Sequence, residues 1–333
     1  MNPGRRAAHR AFLIFLVSLL SACAAQGPGD VTSSPSAVTS VEASDLATAT
    51  PEATPPPGLP GGWLMFSRFN ESTHTFLSTH LSRPDGSEET TLPLPGPEGG
   101  GRWSHDGSRI AVMTILDDER VGTAIIQRDG TVDRVLSIPV DGLNLVCPVW
   151  SPDDSRLACE GFADDASLTG VYTVSASDGG DLKRLTSAPA GMNDIPGDYS
   201  PDGTQVIFKR ATDEDEAPLL VVSAAGGEPR PLSDDAYGDP GRFSPDGQTV
   251  LTSAGGHLVF MGLDGDVLST IEESGAFLFG AVWSPDGEWI AYSRDISGFK
   301  SDVWVSRVDG SDAWQATHTE ANEIAVEWGA EPG

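Results

Sequence analysis

The stretch Trp283-Ser284-Pro285-Asp286-Gly287 decides the fold, because close copies of it recur through the chain. Each copy joins an aromatic residue to a Ser-x-Asp sequence typical of a type I turn, in which Pro presets φ and Gly takes the left-handed conformation at the end. Successive aromatic residues are 47, 49, 44, 40 and 45 residues apart, about the length of a four-stranded propeller blade. The copies begin at Trp103, Trp150, Tyr199, Phe243 and Trp283, and Trp328 stands at the next expected position.

A second turn motif recurs in step with the first. Each repeat also contains an Asp-Gly pair, replaced by Ala-Gly in one copy, and Asp-Gly favours a type I′ hairpin turn because both central residues need positive φ. Apolar alternation after the first motif, as in residues 289–292, predicts the strands that the turns connect. We interpret the repeated Asp and Gly as turn residues rather than as a catalytic or Ca²⁺ loop. The pairs begin at Asp85, Asp129, Asp178, Ala225, Asp264 and Asp309.

The phase of the repeat predicts how the sheet array closes. The chain enters the repeat on a second strand near Trp63 and leaves it on an inner strand, Ile324–Trp328. Residues 63–95 therefore supply three strands of one blade, and Ile324–Trp328 supplies the fourth. The sequence thus predicts an all-β fold over residues 61–330, a six-bladed β-propeller with a split closing blade and no free sheet edge.

The N-terminal segment has the pattern of a lipoprotein signal peptide. Three arginines precede a short apolar run, and Leu20-Ser21-Ala22-Cys23 resembles the bacterial lipobox, in which the cysteine is acylated and the chain is cut before it. We therefore expect removal of residues 1–22 and a lipid anchor on Cys23, the alternative being an ordinary secretory signal. Residues 23–60, rich in Ala, Ser, Thr and Pro, predict a disordered tether.

Export to the outside of the cell membrane follows from this segment. Because Ala24 rather than Asp follows the cysteine, we expect the outer membrane in a diderm host and the single membrane in a monoderm. Export also permits oxidation of thiols. Cys147 and Cys159 flank the turn at residues 151–154 symmetrically, so antiparallel pairing would place them opposite each other for a disulfide. A register slip of one residue would instead leave two buried free thiols.

The repeat also resembles that of a known family. Residues 283–293, with Trp-Ser-Pro-Asp-Gly followed by Ile-Ala-Tyr-Ser, and residues 178–186, with Asp-Gly and then Leu-Thr, are similar to the TolB-type WD-like (PD40-style) repeat. The resemblance covers residues 61–330 and implies a propeller, but such propellers serve as binding modules, as gating domains of prolyl-oligopeptidase-type peptidases and as stand-alone envelope proteins. A tether and lipidated cysteine stand where TolB has an α/β domain, so its role in the Tol–Pal system is not carried over.

Composition and motifs narrow the function classes. With 20 Lys and Arg against 49 Asp and Glu, the formal charge is −29, so nucleic acid and anionic membrane surfaces should repel the protein. The sequence contains no Gly-x-Ser-x-Gly elbow, no His-Glu-x-x-His, no Cys-x-x-Cys and no Gly-rich phosphate loop. Its six histidines fall in different phases of the repeat or in the signal peptide. We therefore expect neither an enzyme nor a resident cofactor, with Ca²⁺ as the one candidate ion.

Polar residues in the blade-to-blade loops are the candidate binding site. Because strand direction alternates, these loops lie on the face opposite the tight turns, where they enter the inner strands. Each candidate lies four to six residues before its repeat aromatic, so the ring should gather them at one channel mouth. Their oxygens would suit Ca²⁺ or a partner segment bearing Arg or Lys, and the alternative is a solvated acidic rim. The candidates are Asn144, Asp194, Asp239 and Glu323.

These features together predict a membrane-anchored, extracytoplasmic binding or scaffolding lipoprotein. We expect a monomer that recognises a protein partner of the cell envelope through its propeller. The alternative is a propeller-type enzyme or accessory protein acting on cell-envelope or extracellular polysaccharide or peptide, and a third possibility is a purely structural component of the envelope.

Overall fold

The computed structural model describes residues 41–42, 55–70, 72–96, 100–211, 217–296, 298 and 300–331, and it describes only the backbone of 41–42 and 234–236. The predicted signal peptide, residues 1–22, and the predicted lipidation site, Cys23, lie outside the described residues, as does most of the predicted tether, residues 23–60. In the described part of the chain, no helix is both long and apolar enough to span a membrane.

The described strands assemble into six sheets, the blades of a β-propeller. In chain order the strands are β1 (Val41–Glu42), β2 (Trp63–Phe69), β3 (Phe76–Ser82), β4 (Thr90–Leu92), β5 (Arg102–Trp103), β6 (Arg109–Ile115), β7 (Val121–Gln127), β8 (Val132–Val135), β9 (Asn144–Trp150), β10 (Arg156–Phe162), β11 (Gly170–Ser175), β12 (Lys183–Arg184) and β13 (Asn193–Tyr199). They continue with β14 (Gln205–Ala211), β15 (Ala217–Ser223), β16 (Arg230–Tyr237), β17 (Arg242–Phe243), β18 (Thr249–Ala254), β19 (His257–Gly262), β20 (Val267–Glu272), β21 (Phe277–Trp283), β22 (Trp289–Asp295), β23 (Ser301–Arg307), β24 (Trp314–Gln315) and β25 (Asn322–Gly329). A short 3-10 helix, Ala166–Leu168, lies between β10 and β11.

Each blade is an antiparallel sheet whose first strand lies innermost. Blades 1 to 5 consist of β5–β8, β9–β12, β13–β16, β17–β20 and β21–β24, and blade 6 consists of β25 followed by β2–β4. The short strand β1 adds to the outer edge of blade 4, where Val41 pairs in parallel with Ile271.

Blade 6 closes the ring with strands from the two ends of the propeller. The C-terminal strand β25 pairs antiparallel with β2, and Leu64 lies opposite Trp328 while Phe69 lies opposite Asn322. The predicted six-bladed propeller with a split closing blade is therefore confirmed. Among the described strands, every inner strand is therefore paired within a blade.

The Ser-x-Asp motif folds into a tight turn for reasons visible in its hydrogen bonds. In blade 5, Ser284 Oγ donates to Asp286 Oδ1 at 2.6 Å and accepts from Trp289 N at 3.0 Å. Gly287 has φ of 72°, a region that L side chains rarely adopt, and its N–H donates to Ser284 O. The polar groups of the turn therefore form hydrogen bonds with one another and with the first residue of the second strand.

The core lies between neighbouring blades rather than within one blade. Leu251 and Phe260 of blade 4 pack against Ile290, Tyr292 and Trp304 of blade 5, and equivalent clusters fill the other junctions. Burial of one such side chain contributes about 1.5–3 kcal/mol relative to leaving it in water. Because each cluster needs two blades, stability depends on the closed ring.

Cys147 of β9 and Cys159 of β10 are joined by a disulfide. The turn itself sets a register in which Leu157 lies opposite Trp150 and Ala158 opposite Val149, which would place Cys159 opposite Pro148. A β-bulge then shifts the register by one residue, because Glu160 lies opposite Val146. The bulge is what brings the two cysteines face to face.

Candidate functional site

The tight-turn face of the propeller opens into a funnel of about 450 Å³. Because every inner strand ends at an aromatic residue followed by a Ser-x-Asp turn, the ring places the same repeat positions around one axis. The aromatic residues are largely buried in the wall, and the second residues of the turns are exposed or half-buried at the rim. The wall and rim are formed by Trp103, Trp150, Tyr199, Phe243, Trp283 and Trp328 with His105, Pro152, Pro201, Pro245 and Pro285.

Four charged side chains form the floor of this funnel. Arg242 Nη1 donates to Glu327 Oε2 at 2.9 Å, and Arg102 Nε lies 3.6 Å from the same oxygen. Asp198 Oδ2 accepts from Phe243 N at 3.1 Å. The floor thus contains two cations and two anions, an arrangement that offsets the cost of removing each charge from water.

Burial perturbs the titration of these floor residues. It lowers the pKa of the Arg102 guanidinium to about 9, and the neighbouring positive charge of Arg242 acts in the same direction. Burial also raises the pKa of the Asp198 carboxyl, while both arginines oppose that shift.

The floor separates the funnel from a second, smaller cavity. This cavity, of about 110 Å³, opens toward the loop face and is lined mainly by apolar residues such as Val146, Ile195 and Ala325. Arg102 and Arg242 line both cavities. Their ion pairs therefore divide the axial channel into two compartments.

The floor residues were not among the residues singled out from the sequence, although a signal for them exists. Each stands directly before a repeat aromatic, a position that lines the funnel in five of the six copies. In the six copies this position holds Arg102, Val149, Asp198, Arg242, Val282 and Glu327. Four of these six are charged and their charges sum to zero, the composition expected of a buried ion-pair network rather than of a solvent-exposed strand.

Two departures from the repeat meet at the rim between blades 1 and 2. At the later junctions the turn glycine packs on the turn proline of the preceding blade, so that a Cβ on Gly247 would lie 3.2 Å from Pro201. Here histidine replaces that proline and aspartate replaces that glycine. His105 N donates to Asp154 Oδ1 at 2.8 Å, and His105 Nδ1 lies 3.2 Å from the same oxygen. Asp154 keeps the left-handed conformation of the glycine, with φ of 55°.

This pair puts a titratable group on the funnel wall. The hydrogen bond to Asp154 raises the pKa of His105, and although burial opposes this shift, the charges of Asp154, Asp198 and Glu327 reinforce it. Because Nδ1 faces Asp154, Nε2 is the ring nitrogen left for a ligand.

The four residues predicted at the loop-face mouth mainly bridge strands of the propeller. Asp194 is 0% exposed and accepts from Arg210 Nε at 2.7 Å and Thr186 Oγ1 at 2.6 Å. Glu323, also 0% exposed, accepts from Arg68 Nε at 2.6 Å. These carboxylates hold neighbouring backbone segments together.

The other two predicted residues have comparable roles. Asn144 Oδ1 accepts from Val121 N at 2.8 Å, and its Nδ2 donates to Phe162 O at 3.1 Å. Asp239 Oδ2 accepts from Gly280 N at 2.9 Å, and this residue lines the smaller cavity. Among the described residues, no group of three or more His, Cys, Asp or Glu side chains is arranged to hold a metal ion. Cation binding at this mouth stays a prediction.

Comparison with known proteins supports the architecture. No protein-family model matches the chain, and no curated protein matches it in sequence. Among solved structures, TolB from Acinetobacter baumannii is similar, with a TM-score of 0.60 and 19% identity over 81% of this chain and 69% of that one. The fold is shared with TolB. At such an identity the likeness shows the fold alone.

Two enzymes with propellers are also similar. Puromycin hydrolase matches with a TM-score of 0.52 and 17% identity over 79% of this chain but 46% of its own, so this chain spans less than half of that protein. The gluconolactonase XC5397 from Xanthomonas campestris matches with a TM-score of 0.50 and 14% identity over 69% of this chain and 83% of its own. These likenesses extend the shared propeller fold to proteins of different activities.

Proposed function

We propose that the protein is an extracytoplasmic binding lipoprotein whose TolB-like propeller takes a segment of a protein partner into the funnel. Cys23 carries the lipid, residues 23–60 form the tether, and the partner belongs to the same cell envelope. The observation that carries the proposal is the ion-paired floor beneath the 450 Å³ funnel. The funnel opens on the turn face, so a ligand can enter there, and the floor residues form the surface that it meets at the bottom.

The lining of the funnel favours a peptide segment over a small ion. Its wall presents aromatic and proline edges, which bind apolar side chains, and its floor arginines are already paired with Glu327, with the Asp198 carboxyl close enough to feel their charge. The rim is negative. Burial raises the pKa of Asp106, but hydrogen bonds from Ser104 and Ser108 outweigh this effect and lower that pKa to about 2. Hydrogen bonds within their turns also lower the pKa of Asp202 and Asp246. A partner with basic residues around an apolar centre fits this distribution.

The proposal is tested by site-specific photo-crosslinking in cells. A photoreactive residue replaces Pro201 at the rim, and a matched variant carries it at Leu263, which is exposed outside the funnel. We expect the Pro201 variant to capture one discrete protein in the membrane fraction and the Leu263 variant to capture none. Equal products from both positions, or no product from Pro201, would contradict a binding role for the funnel.

A propeller-type enzyme or accessory acting on envelope or extracellular polysaccharide or peptide is the second candidate. The pair of His105 and Asp154 favours it, because an imidazole oriented through Nδ1 can act as a general base through Nε2. Hydrolysis of ester, peptide or glycoside substrates by the native protein, lost in His105→Gln, would support this function. If both proteins are equally inactive, the binding proposal is favoured.

A further inference from the structure

A groove leads outward from the funnel between blades 4 and 5. It has a volume of about 290 Å³ and shares Ser244, Pro245 and Trp283 with the funnel. Thr249 and Leu268 line its wall. A ligand in the funnel therefore has a continuous path over the turn face to the side of blade 4.

The repeat itself shows what this groove lacks. At the junction of blades 1 and 2, the guanidinium of Arg109 lies 5.1 Å from the ring centroid of Trp150. Thr249 occupies the position of Arg109 in blade 4, since Arg109 N donates to Ser104 Oγ at 3.0 Å and Thr249 N donates to Ser244 Oγ at 3.0 Å. Threonine is too short to cover the next tryptophan.

Trp150 and Trp283 are otherwise placed alike. The indole N–H of Trp150 donates to Arg102 O at 2.9 Å, and that of Trp283 donates to Arg242 O at 3.2 Å. Trp150 is 2% exposed, whereas Trp283 is only partly buried and lines the groove. Where Trp150 has Arg109 over its ring, Trp283 is contacted by Phe260, whose ring meets it edge-on with the centroids 5.6 Å apart, and no arginine of the described residues lies over it.

We propose that an arginine side chain of the partner binds in this groove above Trp283, in the place that the protein's own Arg109 fills above Trp150. This inference rests on the proposed function and names the residue that the partner contributes. A guanidinium stacks on an indole face through a cation–π interaction. The carboxylates of Asp246 and Asp286, which line the same groove and are exposed, supply the opposite charge.

The groove also suits the rest of an arginine side chain. Leu268 is 52% exposed at its wall, an apolar surface for the methylene groups that carry the guanidinium. The formal charge of −29 attracts a basic segment to the surface in general, and the groove provides a specific site at which such a segment can bind.

The test follows the indole N–H resonance of Trp283 in the ¹⁵N-labelled full-length protein, assigned with Trp283→Phe. The probes are N-acetyl-arginine amide and its neutral isostere, N-acetyl-citrulline amide, at constant ionic strength. We expect a saturable shift with the arginine probe and little with citrulline. Equal shifts with both probes, or none with arginine, would overturn the inference.

Two variants separate the groove from general charge effects. Thr249→Arg fills the groove from within, as in blade 1, and should weaken binding of the arginine probe roughly tenfold. Asp246→Asn removes one carboxylate but keeps the oxygen that accepts from Ser244 and Gln248, so the turn survives. It should also weaken binding, whereas the same change in blade 3, Asp202→Asn, should not.

The outcomes distinguish this inference from the proposed function. If Thr249→Arg or Asp246→Asn binds the arginine probe like the native protein, the groove is not an arginine site. Capture of the partner from Pro201 would then still support the funnel. If the arginine probe binds at Trp283 and Thr249→Arg also reduces capture from Pro201, groove and funnel receive one partner.

Discussion

The two faces of the propeller use their charged residues differently. On the loop face, Asp194 and Glu323 are fully buried and bind Arg210 and Arg68. On the turn face, exposed aspartates surround a cavity several times larger than the one beneath the loops. An acidic residue in a loop sequence is therefore a poor guide to a binding site when it also begins a strand, because its carboxylate can bind an arginine of the neighbouring strand.

Deletion of the closing strand should disrupt the whole propeller, including both of its faces. Removal of residues 322–333 takes β25 from blade 6 and exposes the inner edge of β2, together with the blade 5 surface that packs against Trp328. We expect loss of the cooperative thermal transition. Removal of residues 24–40, upstream of β1, should leave the melting temperature nearly unchanged. Equal melting temperatures for the two truncations would contradict ring closure.

Loss of a loop-face carboxylate should destabilise the fold without affecting the funnel. In Asp194→Ala the partly buried guanidinium of Arg210 and the buried hydroxyl of Thr186 lose their partner, which costs about 3 kcal/mol. Urea unfolding measures this loss, and Asp266→Ala, at an exposed turn position, is the control with little expected change. A loss below about 1 kcal/mol would mean that Asp194 is not the structural residue described here.

The disulfide should have an intermediate effect. Reduction, or Cys147→Ser with Cys159→Ser, should lower the free energy of unfolding by about 2–3 kcal/mol, because the closed loop is short. Titration of thiols in denaturant without reductant, on the acylated mature protein, should find none. Two titratable thiols would contradict the bridge.

The smallest effect concerns the pair of His105 and Asp154 on the turn face. The pKa of His105 is raised in the folded state, so its contribution to stability is complete below the unfolded pKa of about 6.5 and is lost as the pH rises through the folded pKa. His105→Gln should therefore be less stable than the native protein at about pH 5.5 and equally stable at about pH 8.5. The backbone N–H groups of residues 105 and 106 still bind Asp154 in this variant.

A control for this pH dependence is available within the repeat. The double change His105→Pro and Asp154→Gly restores the turn sequence of the later blades, and it should remove the same pH-dependent contribution. A stability difference between His105→Gln and the native protein that is constant with pH would show that His105 does not titrate through Asp154.

The fold was predictable from the sequence because two turn motifs recur in fixed phase. Turns such as that of Ser284 and Asp286 are local, so a few residues specify them, and the phase of the strands gave the pairing of β2 with β25. The strand register at Cys147 was harder to predict from the sequence. A symmetric turn does not reveal the bulge that places Cys147 opposite Cys159.

The candidate site could not be predicted from the sequence in the same way. Whether Asp239 faces solvent depends on the backbone N–H groups beside it, and the one that it binds, that of Gly280, belongs to the next blade. The floor ion pairs join residues from blades 1, 4 and 6, so no local pattern shows that Arg102, Arg242 and Glu327 meet. The turn face stands out by the volume and lining of its cavity, which depend on how all six blades are arranged.

The direct test of the funnel as the binding site compares two cysteines of blade 5. Pro285→Cys lies on the funnel rim, and Ile296→Cys lies on the opposite face at a position that is 64% exposed. The rate of alkylation by a membrane-impermeant maleimide is measured in native membranes and on the purified protein. We predict that membranes slow the reaction at Pro285→Cys several-fold and leave that at Ile296→Cys unchanged. Protection of Ile296→Cys with free reaction at Pro285→Cys would contradict the assignment of the binding face.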